Sequence, residues 1–194
     1  MRAAQETRTP MDVYEAIHTR RDVEAFEQTL PAREVIERLI EAATWAPNHR
    51  MTEPWRFHVV AGEARDNLGA EVAGWLAGKG EPEAIGVSAN AKLMRAPVTI
   101  FLSQSGSPDD PVRELEDYAA CATAMQNLLL AARAEGLVAH VSTDRMIGYE
   151  AIKQHLGLSQ YDRVVVMVNV GSIREGATPK QGVRRPAVVT WQWA

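Results

Sequence analysis

Apolar positions along this chain alternate between a period near 3.6 and short unbroken runs, and the changes of period mark its elements. Val13, Ala16 and Ile17 fall at helical spacing and predict a first short helix ending near Thr19, with Thr9 and Pro10 as its cap region. The residues that follow, RRDVEAFEQTLP, keep no period and read as an extended loop. In PAREVIERLIEAATWA the residues Val35, Ile36, Leu39, Ile40 and Ala43 share one face, which predicts a second helix stopped by Pro47. APNHRMTEPW is then a loop between two prolines, WRFHVVAG a strand, and EARDNLGAEVAGWLAGKG an amphipathic helix ended by its glycines. Residues 81–92 fit neither period. APVTIFLSQ reads as a buried strand, SGSPDD as a turn, LVAHVST as a further strand and MIGYEAIKQHLG as one short helix. YDRVVVMVNVG carries the strongest strand signal, because Val164 to Val168 is nearly all β-branched. The tail has little core character until AVVTWQW, an alternating stretch suited to pairing with another chain.

The stretch from Pro111 to Gly136 organises the rest. A proline in the first turn, Glu114, Glu116 and Asp117 near the positive end and a glycine at the close mark both ends of one long helix. Between Tyr118 and Ala134 only Thr123, Gln126, Asn127 and Arg133 interrupt an alanine- and leucine-rich run, so no apolar stripe stands out and most sides are expected to be covered. That pattern suits a helix at a dimer core and equally a buried helix of a monomer. Four or five short strands among longer helices, without strict strand and helix alternation, predict a layered α+β fold.

Composition narrows the function. The 194 residues carry a formal net charge of -4 with no linker-like segment, which predicts one domain, its residues 1–10 loosely ordered. Basic residues are scattered among acidic ones, which argues against nucleic acid or an anionic membrane as partner. One cysteine, Cys121, and the lack of an apolar leader or a span of ~20 apolar residues suit a cytoplasmic protein, with Cys121 serving in packing.

Phosphate loops of the G-x-G-x-x-G and G-x-x-x-x-G-K-[ST] types are missing, as is a G-x-S-x-G elbow, and the five histidines lack metal-ligand spacing. What remains is two arginine pairs, Arg20-Arg21 and Arg184-Arg185, each fit to bind a phosphate by fork-shaped hydrogen bonds, and a proline-bounded loop with indoles that could wall an apolar slot. By itself the Arg20-Arg21 pair reads more readily as a solvated helix end, but two such pairs could converge on one phosphate.

In order, TRRDVEAF, EAATWAPNHRMTEPWRFHVV, the alanine-rich helix, VVVMVNVGSIREG and VRRPAVVTWQW resemble the FMN-dependent nitroreductase family, in its small, minimal form, over essentially the whole chain. The resemblance implies a central, mainly antiparallel sheet flanked by helices, a C-terminal strand completing the partner's sheet, and a homodimer with two FMN sites at the subunit interface. It places Arg20, Arg21 and Asp22 at the phosphate and ribityl chain and Arg184 at the phosphate. It places Pro47, Asn48, His49 and Met51 in the partner's lining of the flavin, Val141, Ser142 and Thr143 against the ring, and Gly171 in the turn after the last core strand. Asp22 stands where serine is usual and Glu24 where a basic residue is common. The implied activity is transfer of electrons from NADH or NADPH through FMN to nitroaromatic, quinone or similar small-molecule acceptors, in ping-pong fashion and with no necessary side-chain acid or base. A relative of the branch that turns FMN into a benzimidazole, and a flavin-binding protein without turnover, are the alternatives.

Overall fold

The computed structural model describes residues 11–193; the loosely ordered start expected of residues 1–10 lies outside the described residues. Four strands, β1 (Trp55–Ala61), β2 (Val98–Gln104), β3 (Val138–Ser142) and β4 (Arg163–Gly171), form one antiparallel sheet in the order β1-β2-β4-β3. Every residue of β2 and all of β4 except Arg163 are buried, because helices cover both faces of the sheet. That is why these two strands read as unbroken apolar runs in place of an alternation.

The helices are α1 (Val13–Thr19), α2 (Arg33–Thr44), α3 (Glu63–Gly78), α4 (Glu83–Leu93), α5 (Pro111–Ala134) and α6 (Glu150–His155), with a short 3-10 turn at Arg145–Gly148. On one face Ile100 and Leu102 of β2 and Val166, Val168 and Val170 of β4 meet Leu39 and Ala43 of α2 and Cys121, Ala124 and Leu128 of α5. On the other, Phe101 and Met167 meet Leu68 and Val72 of α3, Leu93 of α4 and Ile152 of α6. Each such large side chain contributes about 1.5–3 kcal/mol by leaving water. Of the polar groups inside, Thr99 Oγ1 donates to Asn169 Oδ1 at 2.9 Å and His58 Nε2 lies 2.9 Å from Ser103 Oγ, while Gln104 donates through Nε2 to the Glu114 carbonyl at 2.8 Å and leaves its Oε1 without a partner. The layered α+β fold expected of the sequence is the one observed.

α5 begins as the sequence implies. Asp110 caps it by accepting from the Arg113 amide at 2.9 Å, Pro111 occupies the first turn, and Gly136 beyond its end takes a φ of +75°, which a side chain would disfavour. Its middle differs from expectation. Asp117, Ala120, Cys121, Ala124, Leu128 and Ala132 form a buried stripe at helical spacing, while Val112, Leu115 and Tyr118 are exposed. The stripe escapes the sequence because alanine occurs on both its buried and its open sides, so periodicity carries no contrast.

Other boundaries also shift. The cap of α1 is Asp12, whose Oδ1 accepts from the amides of Tyr14 and Glu15; Thr9 and Pro10 lie outside the described residues. Residues 81–92 become most of α4, whose buried positions are Gly86, Ala89 and Leu93, too small and too few to show a period. The helix expected from Met146 divides at Tyr149 into the 3-10 turn and α6. Residues 187–193 form no strand within the single chain, and Trp193 stays 84% exposed.

Cys121 has no surface, and burial together with the Asp117 charge, opposed by Arg56, pushes its thiol up to about 12. Because only the thiolate reacts with disulfide reagents, the native protein should show no titratable thiol at pH 8, with one appearing on unfolding, as followed by absorbance with an aromatic disulfide.

Candidate functional site

β3 is an edge strand; Asp22 and Val23 lie along its open side, and Phe26 and Glu27 bond to the residues just past β4. Asp22 bridges Ala139 in parallel, Phe26 bridges Ile173, the Val23 amide donates to the Ala139 carbonyl at 3.1 Å, and the Glu27 amide donates to that of Ser172 at 3.0 Å. The segment that showed no period in the sequence is therefore half a strand, whose bonding partners lie far along the chain. Its start is fixed by α1. Arg21 Nη1 donates to the carbonyls of His18 at 2.6 Å and Arg20 at 2.8 Å, closing the negative end of that helix.

Between this segment, the end of α1, Gln126 of α5 and residues 177–184 lies a cavity of about 1000 Å³. Arg20, Arg21, Asp22 and Arg184, all singled out in the sequence, line it together with Lys180. Arg21 is committed to the helix end. The Arg20 and Arg184 guanidinium groups and the Lys180 ammonium have no hydrogen bond or ion pair among the described residues. Asp22 and Glu24 line the same cavity and the Arg20 charge acts on Asp22, but the cations outnumber these two carboxylates, and Arg20 and Arg184 can each offer a fork of donors to a phosphate.

The two acidic departures both have partners. Asp22 accepts from the Val141 amide at 3.0 Å and lies 2.8 Å from His140 Nδ1, which ties the arginine segment to β3. Burial pushes the Asp22 carboxyl upward, but the bonds from His140 and Val141 and the charges of His140 and Arg20 outweigh it and hold the group below the ordinary aspartate value. Glu24 pairs with Arg95 Nη1 at 3.1 Å. Asp22, Glu24 and His140 also offer donor atoms within 4.8 Å of one another, a spacing that could hold a metal ion, but each already has a partner in this structure.

The remaining residues singled out in the sequence divide in two. Val141 and Ser142 are half-buried on β3, Thr143 follows them exposed, and all three stand next to the Asp22 anchor without lining the cavity. Gly171 ends β4, where an added Cβ would come within 2.8 Å of the Pro97 ring and 3.3 Å of Phe26, so close packing explains the glycine. Pro47, Asn48, His49 and Met51 are not part of the cavity wall of their own chain. Asn48 is turned inward: its Nδ2 donates to Thr52 Oγ1 at 3.1 Å and its Oδ1 accepts from the Glu53 amide at 2.8 Å. Thr52 in turn donates to the carboxylate of Asp117, which is 1% exposed and also accepts from Arg113 Nε at 3.3 Å. Met51 and Glu53 hold φ of +52° and +44°, a left-handed conformation that costs a residue other than glycine about 1–3 kcal/mol. Sequence reading missed Lys180, His140, Thr52 and Asp117 as site residues. Only Asp117 left a signal, as a charge at the edge of an apolar helix.

The layered α+β domain with a cation-lined cavity beside the sheet edge frames the site, and comparison with known proteins gives the family. The nitroreductase family model matches residues 17–172, and the chain belongs to this family of oxidoreductases. YdjA of Escherichia coli strain K12, provisionally named an NAD(P)H nitroreductase, is 24% identical over 177 residues, covering 91% of this chain and 96% of that protein. YfhC of Bacillus subtilis strain 168, named in the same provisional way, is 30% identical over 159 residues, 80% of this chain and 81% of that one. A nitroreductase-like protein from Bacillus cereus superposes with a TM-score of 0.78 at 26% identity, over 92% of this chain and 93% of its own. A nitroreductase with bound FMN from Bacteroides fragilis superposes with a TM-score of 0.72 at 22% identity, over 93% and 98%.

A depressed folded-state value means that Asp22 contributes stability which is present above the ordinary aspartate value and lost as pH falls through the lower, folded one. Asp22→Asn should therefore melt below wild type near neutral pH. The gap should close as pH drops below about 3.9, as read by circular dichroism melts over a pH series.

Proposed function

We propose that this protein is an FMN-dependent NAD(P)H oxidoreductase acting on nitroaromatic, quinone or similar acceptors, as a homodimer with a flavin site at each end of the subunit interface. The observation that carries the reading is the cavity of about 1000 Å³ lined by Arg20, Lys180 and Arg184, whose charged ends make no hydrogen bond or ion pair among the described residues. Its size and free cations suit a phosphorylated ligand of the dimensions of FMN, so the residues present fit the cofactor. Arg20 and Arg184 would grip the phosphate with Lys180 beside them. The β3 end, from Val141 to Thr143, would lie against the ring, held in register by the Asp22 carboxylate.

When bound, FMN takes two electrons from NAD(P)H and passes them to the acceptor, which is why nicotinamide and acceptor would occupy one slot in turn. The chain contributes fixed positive charge, a strand end that keeps its orientation and a wall that limits water. Asp22, joined to His140 and Val141, is accounted for as a brace between loop and strand. That gives Asp22 a structural role that holds on the electron-transfer reading, without calling on the FMN-degrading branch.

A second copy is supported by what one chain leaves uncovered. Leu115 is 70% exposed and Met51 78% exposed, with Val112, Tyr118 and Trp45 also on the surface, and the alternating tail has no strand to pair with. Pro47, His49 and Met51, which do not line the cavity of their own chain, would line the partner's flavin.

Purified protein should be yellow, release FMN on denaturation, and oxidise NAD(P)H with an added nitroarene along parallel double-reciprocal lines. A colourless protein that takes up no FMN on titration would rule the reading out. Arg20→Ala should weaken FMN by roughly tenfold to a hundredfold, from a charge-assisted bond of about 1.5–3 kcal/mol. Riboflavin, which has no phosphate, should bind the variant almost as it binds wild type, and calorimetry of both ligands makes the comparison. Leu115→Glu, on the open side of α5 where the chain's own core is untouched, should elute as a folded monomer without flavin in size exclusion with light scattering.

A further inference from the structure

Asp117 is the one charged residue in the buried stripe of α5, and it is held by a partner outside its own helix. A buried carboxylate is tolerated only when its oxygens are satisfied. Here Arg113 satisfies one oxygen and the Thr52 hydroxyl the other. Thr52 is bonded to Asn48, and Asn48 to the amide of Glu53, so the carboxylate fixes the loop from both sides of its tip. Arg50 adds a second tether to α5, through Asp110 at 2.9 Å and Glu116 at 2.8 Å. The loop so restrained includes two left-handed residues that are not glycine, a conformation a plain connection from α2 to β1 would have no reason to keep. Its exposed residues Pro47, His49 and Met51 do not line the cavity of their own chain, and Val112 and Leu115, in the first turns of α5 near the tether, are open.

We propose that Asp117 is a positioning residue for the flavin site of the neighbouring subunit: through Thr52 and Asn48 it holds residues 47–53 in the strained form that carries His49 and Met51 across to that site. This rests on the dimeric flavoprotein reading above. Asp117 does not touch the cofactor. It stabilises a loop shape that the free chain would relax, so that the partner's cavity meets a preformed wall and binding does not have to order it.

Thr52→Val removes the bridging hydroxyl with little change of shape, and Thr52→Ser restores it. The valine variant is expected to remain a dimer with a cooperative melt and to bind FMN about tenfold more weakly, while the serine variant binds within about twofold of wild type. Asp117→Ala cuts the same link from its other end, so combining it with Thr52→Val should add little to the larger single loss. The decisive arm pairs lesions across the interface. Chains carrying Arg20→Ala and Thr52→Val are co-expressed with different tags, and the heterodimer is isolated through both. If the loop acts on the partner's cavity, one site holds both lesions and the other none, so the heterodimer retains about half the wild-type flavin under conditions where either variant homodimer is largely empty. If the loop acts on its own chain, each site carries one lesion and the heterodimer is as empty as the homodimers, which overturns the inference. Thr52→Val binding FMN as wild type does, or failing to melt cooperatively, overturns it as well, since the link would then be idle or would serve the fold. In all of these outcomes wild type still holds FMN. Wild type without flavin would instead defeat the functional reading.

Discussion

The pairing of β2 with β4 is the constraint from which the rest follows. Both strands are buried on both faces, so the sheet needs a helical layer on each side, and the chain supplies α2 and α5 on one and α3, α4 and α6 on the other. With the centre of the sheet sealed, any site must form at an edge. The edge chosen is β3, because Asp22 and Val23 lie along it and bring the end of α1 with them. The cavity is thus a product of how an open strand edge is covered.

The same economy shapes α5. A helix of 24 residues, about 36 Å long, has one side satisfied by the sheet and α2, where Asn127 Nδ2 reaches the Ala42 carbonyl at 3.3 Å. The opposite side offers alanines and a few larger apolar groups to solvent. One element therefore serves as core on one side and, on the proposed reading, as subunit contact on the other. Leu129, at 4% exposure, belongs to the first of these roles and Leu115 to the second.

Much of the fold was legible because the strongest signals are local. Val164 to Val168 could only be a buried strand, and Pro111 with Gly136 bracketed α5 within two residues. What was not legible depends on contrast or on distance. Alanines hid the stripe of α5, and small residues hid α4. That Arg20 and Arg184 could meet at one phosphate was suggested by their chemistry and implied by the family resemblance, but nothing in local pattern says that residues so far apart share a cavity. Lys180, His140, Thr52 and Asp117 gained meaning only once the fold set them beside their partners. The paired acids Asp22 and Glu24 looked like departures from a pattern, and the structure supplies the bases that balance them, His140 and Arg95.

Lys180 and Arg184 lie on a stretch past β4 that contributes no residue to either core cluster. Two of the three free cations of the cavity therefore sit where substitution costs the fold almost nothing. Mutational drift in that stretch can alter which anions bind, or how tightly, while the sheet and its helices stay as they are. Selection on ligand preference and selection on folding consequently act on separate parts of this chain.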